Sequence, residues 1–250
     1  MSLVKELRCS YCGAPLSFEP GEILATCRYC GFTVVINTGQ AFTFEHSMFL
    51  NKYTPTQTEE LARKWMSSGF LKPKDLAKKS KVTENTLIYM PFWVVSVKAE
   101  STYNGVFERI SPPIVKNGKI SKNYDWLVLA RKAAEFPTKE YDVPLSGKIP
   151  YDFSRIDEIA KVLNSEIDEG EAVAIVRQEI EGHHRYLAQQ DVDRIIEMKT
   201  ELEITQIVYL HAPVWLLKYE YAGKNYVLWL DGAAGTVIKG EIPPAKFGII

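Results

Sequence analysis

Apolar and polar residues alternate with a period of two over residues 214–221, 226–230 and 236–239, where β-branched and aromatic side chains dominate. Turn sequences separate these runs, Ala222-Gly223-Lys224-Asn225 and Asp231-Gly232-Ala233-Ala234-Gly235. The pattern predicts a C-terminal antiparallel meander. A helical period shows at residues 56–67. There Leu61, Ala62, Trp65 and Met66 share a face, Thr56 and Glu59 form a capping-box pattern, and Gly69 marks a stop. Pro73 predicts a second, short helix near residues 75–79. Ser154 caps a predicted helix with Ile156, Ile159, Ala160 and Leu163 on one face. Residues 168–181 predict a further helix ending at Gly182, and residues 188–198 another.

Two apolar runs resemble each other. One reads Leu87-Ile88-Tyr89-Met90-Pro91-Phe92-Trp93-Val94-Val95; the other reads Ile207-Val208-Tyr209-Leu210-His211-Ala212-Pro213-Val214-Trp215-Leu216-Leu217. Apart from the inserted His211-Ala212 they match class for class, with Tyr, Pro and Trp shared. Each is followed by a strand-like run and a turn signal, at Asn104-Gly105 and at Ala222-Gly223. We read a short internal repeat and two related α+β halves, residues 56–150 and 151–250, against the alternative of chance likeness between two hydrophobic strands. A connector, residues 39–55, carries Phe42, Phe44, Phe49 and Tyr53 and predicts a strand or a docking segment.

The N-terminal 38 residues are different in kind. All four cysteines lie there, as Cys9-x2-Cys12, 14 intervening residues, then Cys27-x2-Cys30. A two-residue spacer aims both thiolates of a pair at one metal, and Gly13 and Gly31 free the backbone to turn beneath the sulfurs. Four soft ligands form the tetrahedral set that zinc prefers, with no open coordination position, so the ion is expected to be structural. Iron in a rubredoxin-like site and disulfide pairing are the competing readings. Residues 16–18, 23–25 and 32–36 predict three strands, the first two joined by a Pro20-Gly21 turn. The unit resembles a zinc ribbon.

Composition narrows the class. With 46% hydrophobic and 24% charged residues the chain is neither disordered nor a disulfide-stapled miniprotein. No apolar run reaches the ~18 residues of a membrane-spanning helix. No apolar leader region follows Met1, so a reducing, cytoplasmic setting is expected. The net charge of −1 conceals an asymmetry. Residues 51–150 hold 17 basic and 10 acidic side chains, and residues 151–250 the reverse, 10 and 17. Either the halves neutralise each other or the basic region meets a polyanion. The densest basic stretch holds Arg63, Lys64, Lys72, Lys74, Lys78, Lys79 and Lys81 against one acid, Asp75. Its lysine excess suits backbone contact with RNA or DNA better than base reading. A solvated lysine-rich face is the plain alternative.

Tyr89, Pro91, Phe92 and Trp93 give a Y-x-P-F-W motif. Pro213, Trp215, Tyr219, Tyr221, Gly223, Lys224, Tyr226, Asp231, Gly232, Gly235, Val237, Gly240, Glu241 and Pro243 give a long C-terminal pattern. Together with the ribbon, these blocks resemble a group of prokaryotic zinc-ribbon proteins, some labelled replication-restart-helicase-like, and the C-terminal block is similar to the strands of PepSY-like domains. The resemblance covers about a third of the chain in separate blocks. It implies a zinc ribbon on an α+β body. The helicase label fails on chemistry, since no G-x-x-x-x-G-K-[ST] phosphate loop exists.

No G-x-S-x-G, H-E-x-x-H or G-x-G-x-x-G motif is present, and the zinc takes every cysteine. His183-His184 reads as a solvated helix end, and His211 as a half-buried residue. The five tryptophans, Trp65, Trp93, Trp126, Trp215 and Trp229, read as core rather than as a base-stacking platform. The expectation is a non-catalytic binding or adaptor protein. Attachment to a nucleic-acid machine such as a ribosome or transcription complex comes first, a protein-only scaffold second, and an enzyme with a cleft between the halves third.

Overall fold

The structure is a computed structural model that describes residues 7–37, 44–132, 136–143 and 145–244. Phe42 and the start of the expected connector lie outside the described residues.

The body forms around two very long strands, β4 (Lys81–Phe107) and β8 (Arg194–Tyr221). They pair antiparallel from Lys81↔Glu220 to Val106↔Arg194, with three register shifts along the way. Strands this long twist strongly, and irregularities of this kind absorb the twist. The two repeated segments lie opposite each other, with Leu87 across from Trp215, Tyr89 from Pro213 and Trp93 from Tyr209. Each long strand then gains a hairpin partner on its outer edge, β5 (Ile114–Leu129) on β4 and β9 (Lys224–Asp231) on β8. Ala222 and Gly223, at φ 51° and 75°, make the tight turn between β8 and β9. β10 (Val237–Gly240) completes the meander. Short strands fill the remaining edges: β3 (Glu45–Met48) runs parallel to β8, β6 (Ile149–Pro150) pairs with β3, and β7 (Lys161–Val162) runs parallel to β4.

Strict alternation divides the sheet into two apolar faces. On one face Leu87, Tyr89, Trp215 and Leu217 meet helix α1 (Pro55–Ser67) through Ala62 and Met66, and α2 (Leu76–Lys79) through Leu76. Farther along the same face, Trp93, Val95, Val97 and Ala99 meet helix α3 (Glu169–Asp191) through Ala172, Val176 and Ile180. Helix, long strand and hairpin partner thus recur twice in the order α1–β4–β5 and α3–β8–β9. The other face, with Ile88, Met90, Phe92, Val94, Val208, Leu210 and Val214, is covered without a helix, by Phe49, Phe136, Tyr141 and Leu163. Strands from residues 56–150 and from residues 151–250 therefore share one sheet.

Several expected elements differ. The α1 capping box is Thr54 with Gln57, two residues earlier than Thr56 with Glu59, because Pro55 occupies the first helical position. Asn104-Gly105 is not a turn; it lies inside β4, where Gly105 lets Val192 pack against the strand. The helix expected after Ser154 is absent, and that segment holds a single 3-10 turn and β7. The two helices expected over residues 168–181 and 188–198 are replaced by α3 and the start of β8. α3 runs through Gly182 because its buried stripe, Ala172, Val176, Ile180, His184 and Ala188, continues past that exposed glycine. An interior glycine costs about 1 kcal/mol, which such a stripe outweighs. From Arg194 the chain switches to period two, with Met198, Thr200, Leu202 and Ile204 half-buried and Glu197, Lys199, Glu201 and Glu203 exposed.

Candidate metal centre and its seat on the body

The cysteine segment forms two copies of one loop. In the first, Gly13 N–H donates to the Cys9 carbonyl (2.9 Å) and Cys9 N–H to the Ala14 carbonyl (2.8 Å). In the second, Gly31 N–H donates to Cys27 O (2.9 Å) and Cys27 N–H to Phe32 O (2.9 Å). Gly13 and Gly31 adopt φ of 74° and 73°, which residues with a Cβ rarely take. The strands carrying the second loop, β1 (Leu24–Thr26) and β2 (Thr33–Val35), pair antiparallel. The third strand expected at residues 16–18 does not form; outside β1 and β2 the described ribbon residues add only an isolated bridge between Arg8 and Pro15.

The loops bring all four sulfurs within 4.8 Å of one another, with Cys9 to Cys30 and Cys12 to Cys27 each 3.6 Å apart. Four sulfurs at ~2.3 Å from a tetrahedral ion stand about 3.8 Å apart, so the set fits one metal ion. Burial opposes ionisation of Cys9, but the N–H groups of Cys12 and Tyr11 and the neighbouring thiols outweigh it and bring its pKa down to about 7. Burial pushes Cys30 up to about 12. A bound cation would remove that contrast by holding all four as thiolates.

The ribbon is bolted to the body by polar groups that carry no motif in the sequence. Glu22, buried at the Pro20-Gly21 turn, accepts from Asn164 N (3.1 Å), Asn164 Nδ2 (2.9 Å) and Arg131 Nη1 (2.7 Å). Arg131 also reaches Glu166 (3.2 Å) and Glu19 (3.3 Å). Leu24 enters the cluster around Trp93 and α3.

A second seam runs through histidines. His211 is fully buried, not half-buried as expected. Its Nε2 donates to the Leu163 carbonyl (2.8 Å), so its Nδ1 accepts from His46 Nε2 (2.9 Å). The Thr33 hydroxyl of β2, 3.1 Å from His46 Nδ1, donates there. This chain needs both rings neutral. Burial holds His46 well below its usual pKa and brings His211 down to about 4. An unfolded histidine takes a proton near pH 6.5, which the native His211 refuses. Stability is therefore full above pH 6.5 and falls by about 3 kcal/mol as pH drops to about 4, with no further loss from this group. Urea unfolding at pH 7, 5.5 and 4.5 checks this; equal stabilities would contradict it.

His184 also departs from its expected place. It is buried beneath α3, bonded to Ser101 Oγ (2.7 Å) and the Tyr124 hydroxyl (3.0 Å), while His183 borders the groove beside it. A serine–histidine contact invites a nucleophile reading, but Ser101 and His184 are both fully buried, out of reach of substrate. A cavity of about 1130 Å³ between β5 and α3 is an open groove with Trp126, Phe136, Tyr141 and His183 on its walls. Three carboxylates line it, Asp125, Glu140 and Glu179, and a bond to Lys239 holds Glu140 below the usual range. Trp93 and Trp215 are wholly buried, in line with a core role.

The basic stretch divides in two. Arg63 pairs with Glu59 (2.6 Å) and bonds the Ala77 carbonyl. Lys79 pairs with Asp75 (2.8 Å), and Lys72 lies 3.5 Å over the Trp65 ring, where burial lowers its pKa. Lys64, Lys74, Lys78 and Lys81 are exposed and have no carboxylate partner among the described residues. None of the seven pairs with the acidic residues of 151–203.

The fold and the sulfur cluster define an α+β protein with a four-cysteine ribbon, able to hold one metal ion, seated on a single large sheet. No known family, no curated protein and no solved structure matches the chain. No helix among the described residues is long and apolar enough to cross a membrane.

Proposed function

We propose that this is a non-catalytic binding or adaptor protein of the cytoplasm. In this reading Cys9, Cys12, Cys27 and Cys30 hold one structural zinc ion, and the exposed lysines of the α1–α2 region attach the protein to the nucleic acid of a larger complex, such as a ribosome or transcription complex. The observation that carries the attachment is the unneutralised set Lys64, Lys74, Lys78 and Lys81. A lysine already matched to a carboxylate gains little on meeting a phosphate, whereas a bare one releases counterions. The closed thiolate set supports zinc in a structural role.

Changing Lys64, Lys74, Lys78 and Lys81 together to Gln is expected to weaken binding to RNA or DNA of any sequence. For every phosphate that is no longer neutralised, the slope of log K against log salt should flatten by about 0.9 on duplex DNA, or about 0.7 on single strands. Metal content and Tm should hardly move, because exposed charges contribute little to stability. Unchanged binding and slope would remove the lysines from the interface.

One observation favours a protein partner as the second reading. The distal end of the β4–β5–β8 arm exposes Ile110, Ile114, Val115 and Ile196. Nuclease treatment separates the readings: a partner retained after nuclease is held by protein surfaces.

A further inference from the structure

Large aromatic side chains on a small protein's surface normally find some cover. Tyr11 and Tyr29 find little: they are 74% and 76% exposed. Their positions are equivalent, since each immediately precedes the second cysteine of its loop, in Cys9-Ser10-Tyr11-Cys12 and Cys27-Arg28-Tyr29-Cys30. The two copies of one hydrogen-bonded loop at the candidate metal centre therefore carry both rings. Tyr11 is steadied from one side by stacking on Phe32, with ring centroids 5.5 Å apart and planes 21° apart. Tyr29 has no ring partner among the described residues. An exposed arginine, Arg28, adjoins Tyr29, and Arg8 lies beside the first loop. Neither loop carries a carboxylate between Arg8 and Gly13 or between Cys27 and Phe32.

We infer that Tyr11 and Tyr29 are a stacking platform for unpaired nucleobases, so that the nucleic acid this protein meets is single-stranded. This rests on the proposed attachment to nucleic acid and names the form of the ligand. Every base has a π-face, so stacking on a tyrosine needs no particular sequence, but the base must be free of its duplex. Charge alone does not recommend the ribbon. Four thiolates around a divalent ion leave a net charge of −2, which Arg8 and Arg28 offset. Attraction at this tip must therefore come from the rings, while the lysines near α1 and α2 hold the backbone. The two surfaces leave different signatures. Loss of a lysine flattens the salt slope, and loss of a tyrosine weakens binding at every salt concentration alike.

The test uses the full chain, loaded with zinc, and a short labelled oligoadenylate, against a duplex of equal length. The parent is expected to bind the single strand more tightly than the duplex. Tyr29→Ala and Tyr11→Ala should each weaken the single strand by about fivefold or more, with the salt slope unchanged. Tyr29→Phe and Tyr11→Phe should restore binding, since a phenyl ring still stacks. Metal content measured on every variant shows whether the ribbon is intact; Tyr29→Ala is the cleaner of the two, because Tyr11 also packs on Phe32. Equal affinity for single strand and duplex, or alanine variants with full metal content and parental affinity, would overturn the platform while leaving the lysine attachment standing. Failure of the parent to bind either probe would overturn the attachment itself, and the platform with it.

Discussion

Cys27→Ser is expected to strip the metal from the chain and unfold the ribbon while β4 and β8 stay paired. Cys27 is fully buried at the centre of the ribbon's small core, with Leu16, Ala25 and Val34. That cluster holds too little apolar area to fold alone, and structural zinc in isolated ribbons contributes on the order of 10 kcal/mol or more. A serine hydroxyl does not ionise at neutral pH and is a poor replacement for a thiolate. Elemental analysis should fall from one metal per chain to a small fraction, and amides of residues 24–35 should exchange freely with solvent. The body should survive in weakened form. It loses the burial of Leu24 beside Trp93, about 2 kcal/mol, and the histidine seam loses the Thr33 hydroxyl. A variant retaining one metal per chain, or a parent found to carry iron, would contradict the zinc assignment.

Arg131→Ala is expected to be the most damaging single change at the ribbon–body seam, lowering stability by about 3–5 kcal/mol. The side chain is only 10% exposed, and the carboxylates it neutralises are 2% exposed for Glu22 and 11% for Glu166. Removing the guanidinium leaves two buried carboxylates without a cation, a larger penalty than the pair's own attraction in the native protein. Arg131→Lys should recover only part of the loss, since one ammonium cannot reach Glu22, Glu166 and the Asn164 carbonyl together. Adding Glu22→Gln to Arg131→Ala should return some stability, because a neutral amide tolerates burial better than an unpaired carboxylate. Denaturant unfolding of the parent and these three variants measures the differences. A loss of under about 1 kcal/mol for Arg131→Ala would mean that water replaces the arginine.

The four-cysteine cluster is legible at once, because the geometry of its two loops is local. A two-residue spacer followed by glycine closes the loop over a few residues, whatever the rest of the chain does. The C-terminal meander is legible for the same reason, its turn residues and alternation lying side by side. The Trp93 and Trp215 segments read as strands, though their length does not show, since the first apolar run ends well before β4 does and the second starts well after β8 begins. Beyond it, one face of the arm is solvated and held by pairs such as Lys98–Glu203 and Lys119–Glu100. Such polar alternation carries a weak signal, and over residues 194–198 it reads as helix.

Short-range chemistry thus came from the residues alone: the four-cysteine cluster, the C-terminal turns, the amphipathic period of α1, and the surplus of lysine between Arg63 and Lys81. Folding decided the rest. It set the two repeated segments against each other as the central pair of one sheet and carried α3 across Gly182. It buried Glu22 against Arg131, and His46 against His211. It also chose which lysines stay unpaired and left Tyr11 and Tyr29 in solvent. Most of these depend on partners about a hundred or more residues away, and the rest on the packing or solvent around each side chain. Burial, not residue type, sets the energy of a buried charge or an exposed ring, and burial exists only once the chain has folded.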